Sequence, residues 1–179
     1  MYSAIAANKR NTFIIVAGFI LLLGGIAFWW GASSGNGSSA LLIIGFVAAY
    51  AIFQYYAGSR LAITMSGAKQ IEKKDNPRLW NIVENLSISQ GMPMPKVYVI
   101  DDPAPNAFAT GRDPDHAVIA ATTGLLDKLS RTELEGVVAH EISHIRHYDI
   151  RLMSVVSVLV GMIALLAYMF LRMSFWGSR

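Results

Sequence analysis

Residues 130–171 read "SRTELEGVVAHEISHIRHYDIRLMSVVSVLVGMIALLAYMFL", and the change at Arg151 from a charged stretch to an uncharged apolar one sets the expectation for the whole chain. The opening "SRTE" is a capping box, in which Ser130 caps a helix and Glu133 returns the bond three residues later. The helix that starts there carries Leu134, Val138, Ile142 and Ile145 on one apolar face. His140 and His144 fall on another face, about 40° apart around the axis and one turn apart along it. With His147 they are three of the chain's four histidines, gathered within eight positions. No proline interrupts the pattern, so the helix is read as continuing into the run from Leu152 to Leu171. That continuity places His144 about 12 Å from the start of the apolar run.

Working outward, the composition agrees with a membrane protein. Of 179 residues 54% are hydrophobic and 15% charged, against about 25% charged in ordinary soluble domains. There is no cysteine, which excludes disulfides and thiolate metal sites. The net charge of +3 does not mark a nucleic-acid binder. All twelve acidic residues lie between Arg60 and Arg151, together with eleven of the fifteen basic ones, so that segment carries −1. The excess sits on Lys9, Arg10, Arg172 and Arg179, beside apolar runs, with no basic stripe for phosphates.

Two further apolar runs precede the central segment: "TFIIVAGFILLLGGIAFWW" (12–30) and "ALLIIGFVAAYAIFQYYA" (40–57). Each of the three runs is about twenty residues, long enough for a bilayer core, with Trp or Tyr at the end of the first two. The first is too long for the apolar core of a signal peptide, and the uncharged loop "GASSGNGSS" (31–39) joins it to the second as a hairpin. Lys9 and Arg10 precede the hairpin and Arg60, Lys69, Lys73 and Lys74 follow it, so the N-terminus and the central segment are expected in the cytoplasm. The expected domains are an N-terminal transmembrane hairpin (1–57), a cytoplasmic unit (58–151), a third transmembrane helix (152–171) and a tail (172–179).

The central segment reads as mixed α and β. "NPRLWNIVENLSISQG" (76–91) has Asn76 as N-cap, Pro77 at the first helical position and Gly91 as its stop, with Leu79, Ile82, Val83 and Leu86 on one face. "KVYVI" (96–100) is a strand. "NAFAT" (106–110) and "AVIAAT" (117–122) flank "GRDPDH" as a hairpin, with His116 solvated at the end of its loop. The Lys73–Lys74 pair reads as a solvated helix end.

"HEISH" is an H-E-x-x-H motif, and the spacing explains why these residue types suit metal-assisted hydrolysis. Two imidazoles one turn apart reach a single Zn²⁺ at about 2.0–2.1 Å. Glu141 lies beside the pair and can take a proton from water and pass it to a leaving amine. His147, about 10 Å along the axis from His140, reads as an interfacial histidine. Asp149 lies on the far side of a continuous helix, as a partner for Arg146, Arg151 or a backbone amide.

The stretch from "NPRLWNIVENLSISQG" through "PNAFATG" and "TTGLL" to "HEISHIRHYD", following two apolar runs and preceding a third, resembles the HtpX family of bacterial membrane zinc metallopeptidases, relatives of the CaaX prenyl proteases. The resemblance implies a membrane α-helical protein carrying a cytoplasmic α+β zincin-like metallopeptidase unit, multi-pass in the inner membrane. It implies His140 and His144 as zinc ligands, Glu141 as the catalytic base, and Asn106, Ala107, Phe108 and Ala109 as a strand that pairs with substrate. The implied partners are the lipid bilayer and misfolded or damaged membrane proteins or unfolded polypeptides, with no nucleic acid. The family draws a third ligand, a Glu in an E-x-x-A-D segment, from a helix after a fourth span, and this sequence has no Glu after Glu141. The expectation is therefore the N-terminal part of such a protease, one zinc ligand short and inactive alone. The alternative is a non-catalytic membrane anchor or partner-binding module with an incomplete metal site.

Overall fold

Asn76 and Gly91 bracket a helix of 14 residues in the computed structural model, which describes residues 2–33 and 37–176. The Asn76 side chain accepts from the Leu79 amide at 3.0 Å, and Pro77 sits where no donor is needed. Gly91 takes φ 62, a left-handed turn that only glycine adopts cheaply, and its amide closes on Ile88. In chain order the elements are α1 (Tyr2–Ser33), α2 (Gly37–Met65), β1 (Lys69–Gln70), α3 (Pro77–Gln90), β2 (Lys96–Ile100), β3 (Ala107–Thr110), β4 (Val118–Thr122), α4 (Thr123–Lys128), α5 (Arg131–Arg146) and α6 (Asp149–Trp176). A short 3-10 helix, Pro114–His116, lies in the β3–β4 loop.

The four strands form one sheet in the order β1-β2-β4-β3. β2 and β4 run parallel, with Val97 opposite Ile119. β1 and β3 are antiparallel edges, and β3 pairs Phe108 with Ala120. β4 is central and buried along its whole length, as its uninterrupted apolar run requires. Successive side chains alternate between faces. Val97, Ile119 and Ala121 meet Leu79, Ile82 and Val83 of α3 and Leu134, Val138, Ile142 and Ile145 of α5. Burying each such aliphatic side chain contributes about 1.5–3 kcal/mol, so this layer fixes α5 against the sheet.

The other face carries Val118 and Ala120, and it packs on Ile63 of α2 with Tyr98, Ile100 and Phe108 around them. Here α2 runs on past residue 57. The apolar run stops there, but the helix continues to Met65, because its last turns have a sheet face to cover.

α1, α2 and α6 pack together through Phe19, Leu23, Tyr50, Val155 and Leu159. Away from that seam they are apolar on the outside: Phe13, Leu21, Phe28, Trp29, Leu41, Leu42 and Ile52 are all more than half exposed. An apolar surface of that extent belongs against something other than water. Among the described residues, the segment Ile5–Ser33 is long and apolar enough to cross a membrane. Part of the loop at 31–39 and the end of the tail at 172–179 lie outside the described residues.

One smaller expectation needs correction, and a second holds with a contact added. Lys73 and Lys74 sit in a turn, not a helix end, with Lys73 on Glu84 at 2.8 Å and Lys74 on Glu72 at 2.9 Å. Both pairs are exposed and contribute little. His116 is exposed but not free, since its ring Nδ1 lies 2.6 Å from Asp113, whose side chain also caps the 3-10 helix. Partial burial pushes the Asp113 carboxyl up, but the bonds and charge of His116, with the Arg112 charge, outweigh it and hold it below the usual range.

Candidate metal centre

The capping box forms as read: the Ser130 hydroxyl accepts from the Glu133 amide, and the Glu133 carboxylate accepts from the Ser130 amide at 2.8 Å. The Ser130 hydroxyl, which donates to the same carboxylate at 2.7 Å, and after it the Ser130 amide hold the Glu133 carboxyl below its ordinary range. From this start, Leu134, Val138, Ile142 and Ile145 point into the core with at most 2% exposure. The helical period then leaves His140, Glu141 and His144 no choice but the side toward β3 and solvent.

On that side the two imidazoles converge. His140 Nε2 and His144 Nε2 are 3.1 Å apart, with ring planes at 87°. Two nitrogens on one tetrahedral zinc, each at about 2.0–2.1 Å, are separated by about 3.3–3.4 Å. The spacing fits a shared cation with a shift of a few tenths of an ångström.

The expected continuous helix is broken immediately afterwards. α5 ends at Arg146, His147 caps it, and Tyr148 takes φ 62 before α6 begins at Asp149. A left-handed tyrosine costs about 1–2 kcal/mol, so surrounding contacts must hold it. The Lys9 ammonium lies 4.2 Å from the centre of its ring, and the Asn8 side chain donates to the His147 carbonyl at 3.0 Å. Nothing at 146–149 is Gly or Pro, which is why the break leaves no trace in the sequence pattern.

The break also corrects the placement of Asp149. Instead of pairing with Arg146, Arg151 or a backbone amide on the far side, its Oδ2 lies 2.9 Å from His144 Nδ1. Its Oδ1 accepts from Asn8. A carboxylate on Nδ1 keeps the proton there and leaves Nε2 as the free donor atom, the arrangement usual behind a metal-bound histidine. His147 turns elsewhere, its Nδ1 lying 2.8 Å from the Ser143 carbonyl. Among the described residues no third His, Cys, Asp or Glu joins His140 and His144 in a group able to hold a metal.

Glu141 points to the edge strand. Its Oε2 accepts from the Ala109 amide at 3.0 Å. The main chain of Asn106, just before β3, bonds toward β4: its carbonyl accepts from the Thr122 amide and its own amide donates to the Thr122 hydroxyl. Antiparallel alternation then turns Phe108 and Thr110 toward β4, and Ala107 and Ala109 outward. Of the four residues expected to meet substrate, Ala107 and Ala109 therefore turn their main-chain groups to the edge, the Ala109 amide being taken by Glu141, while Asn106 and Phe108 turn theirs into the sheet. Glu141, His140 and His144 lie along that same edge. The contributions of Asp149 and Asn8 were not apparent from sequence, because both depend on the break.

Comparison with known proteins places this geometry in context. Residues 73–178 match peptidase family M48. The chain is 55% identical over 178 residues to a "Protease HtpX homolog" of Tropheryma whipplei strain Twist, covering 99% of this chain and 61% of that protein. It is 46% identical over 181 residues to the homologue from Listeria monocytogenes strain EGD-e, with 99% and 60% covered, and 43% identical over 180 residues to that of Ligilactobacillus salivarius, with 99% and 61% covered. The chain thus spans about three fifths of the length of these curated relatives. The M48 match places this chain in peptidase family M48, and its similarity to the HtpX homologues runs over nearly the whole of its own length.

Proposed function

We propose that this chain contributes three membrane spans and most of the catalytic edge of a zinc endopeptidase. His140 and His144 hold the metal through Nε2, Asp149 fixes the tautomer of His144, and Glu141 is the proton carrier. The single observation that supports this most is the 3.1 Å approach of the two Nε2 atoms beside a carboxylate that reaches the open edge of β3. Bound zinc supplies Lewis acidity for the scissile carbonyl and acidity for water at the site. Glu141 accepts the proton from the attacking water and returns it to the departing amine. An extended substrate adds as a strand beside β3, using the outward main-chain groups of Ala107 and the Ala109 carbonyl, while the Ala109 amide stays on Glu141. Reading by main chain in this way suits unfolded or damaged polypeptides, and a site mounted on apolar helices suits membrane-protein substrates.

The proposal includes three spans, in α1, α2 and α6, with the N-terminus and the 58–151 unit in the cytoplasm of a bacterial cell. The apolar exteriors of these helices and the positions of Lys9, Arg10 and Arg60 support that orientation. It also includes the statement that this chain alone binds zinc weakly and does not cleave, since catalytic zinc sites use three protein ligands and the described residues provide two. That shortfall is also the observation favouring the second reading, a non-catalytic membrane anchor or partner-binding module.

The test uses the protein extended to the length of its relatives. Glu141→Gln is isosteric and can still accept from the Ala109 amide, so zinc content should stay at the parent level while casein cleavage falls by about 10²–10⁴. His140→Ala should lose both. Substantial cleavage by Glu141→Gln would remove Glu141 from the proton-transfer role, and a zinc-free, inactive parent would leave the anchor reading standing.

A further inference from the structure

A series of side-chain contacts leads out of the metal centre and ends on the first helix. We propose that Asn8 is a positioning residue of this centre, acting through Asp149 on the ring of His144. The proposal rests on the reading of His140 and His144 as metal ligands.

Asn8 lies 139 residues before His147 and 141 before Asp149. Its terminal amide faces two acceptors, the His147 carbonyl at 3.0 Å and the Asp149 carboxylate. Only the NH₂ end can serve both, so the network assigns the nitrogen and uses both of its hydrogens. Asp149 is thereby held at one oxygen by Asn8, which keeps the other oxygen on His144 Nδ1 at 2.9 Å. The His144 ring is then fixed as the Nδ1–H tautomer, and its Nε2 lone pair is aimed toward His140.

The same two residues of α1 grip the turn that delivers Asp149. Lys9 covers the ring of the left-handed Tyr148, and Asn8 holds the carbonyl before it. The buried Thr12 hydroxyl bonds the Asn8 carbonyl at 2.8 Å, tying this turn of α1 without touching Asp149. Asparagine is suited to position 8 by its chemistry. Aspartate would set carboxylate against carboxylate, and leucine would leave Asp149 Oδ1 and the His147 carbonyl without this donor. α1 is therefore part of the metal centre as well as a membrane segment.

The experiment is a zinc competition titration of the protein extended to the length of its relatives, purified in detergent, against a chromogenic chelator, for the parent, Asn8→Leu, Asp149→Asn, the double variant and Thr12→Val. Loss of a group behind a metal ligand weakens binding about 10–100-fold, and Asn8, one contact further out, should fall near the low end, about tenfold. Because Asn8 acts through Asp149, the double variant should bind no more weakly than Asp149→Asn alone, a non-additivity that a merely structural role does not produce. Thr12→Val, which removes a neighbouring bond of the same helix, should bind zinc like the parent. A metal-free readout runs beside this: ¹⁵N shifts of His144 should report one tautomer in the parent and a mixture in Asn8→Leu. Additive losses in the double variant, or unchanged affinity and tautomer in Asn8→Leu, overturn the proposal. If the parent binds no zinc at all, the metal reading fails separately, and the His144 tautomer still decides the role of Asn8.

Discussion

Changing Gly124 to alanine should be among the most damaging single-methyl additions possible in this chain. Gly124 lies in the first turn of α4, and a Cβ built there would fall 2.0 Å from the Pro103 carbonyl oxygen and 2.4 Å from its carbon. Both are main-chain atoms, so no side chain can swing aside, and the two segments must separate by about 1 Å or more before the contact is tolerable. That separation pulls on the Gly124 amide bond to the Asp102 carbonyl at 2.9 Å and on the Thr123 hydroxyl bond to the same carbonyl at 3.0 Å. Overpacking costs about 1–3 kcal/mol and each weakened bond about 1 kcal/mol, giving about 4 kcal/mol in all. At about 2–4 °C per kcal/mol for a chain of this size, the midpoint should drop by roughly 8–16 °C. The matched control is Gly136→Ala on the exposed side of α5, where the new methyl meets nothing within 4 Å. There, replacing a mid-helix glycine should stabilise by about 0.5–1 kcal/mol. Thermal unfolding in detergent, followed by far-UV circular dichroism, measures both. If the two variants shift in the same direction, or Gly124→Ala moves the midpoint by less than about 2 °C, the close approach of Pro103 is not a constraint of the native fold.

Two further outcomes are expected. Ser130→Ala should cost about 1 kcal/mol through loss of the helix cap. Because the Ser130 hydroxyl and amide depress the Glu133 carboxyl, the part of the stabilisation that rests on the carboxylate is present above the ordinary glutamate value of about 4.3 and is lost as pH falls through the lower folded value. Denaturant melts at a series of pH values should therefore show the difference between parent and Ser130→Ala shrinking below about pH 4; a constant difference would separate the cap from the ionised carboxylate. For topology, cysteines placed singly at Ser38 and Ser66 in this cysteine-free chain should react with an impermeant thiol reagent from opposite sides, Ser66 only after the membrane is opened. Labelling of Ser66 in intact cells would invert the proposed orientation.

What could be read from the sequence was what local chemistry dictates. The Asn76 and Ser130 caps, the Gly91 stop, the strand at 96–100 and the buried face of α5 each follow from residues within a few positions of one another. The H-E-x-x-H spacing belongs to the same class, since a helix places its own i and i+4 residues without help. The unread features all depend on distant contacts. Tyr148 is left-handed because α1 holds it, 139 residues away in the case of the Asn8 bond to its neighbour. Asp149 reaches His144 only because of that turn. The two-residue strand β1 exists only by pairing with Val99 and Tyr98, and two residues carry no periodicity to detect. The end of α2 is helical beyond its apolar run because the outer face of β4 needs Ile63.

That last feature has a mechanical side. From Ala57, where the apolar run of α2 ends, to Met65 the helix climbs about 12 Å and packs directly on the sheet through Ile63, with only the turn at 66–68 before β1. With residues 40–57 in the bilayer as proposed, the sheet is carried on a strut instead of a tether. Its height and tilt above the lipid surface are set by helix geometry, and the β3 edge cannot swing out to meet a polypeptide far from the membrane. On the proposed protease reading, any chain to be cut would have to be slack enough to be drawn to that fixed height, a selection by reach that operates before any side chain is read.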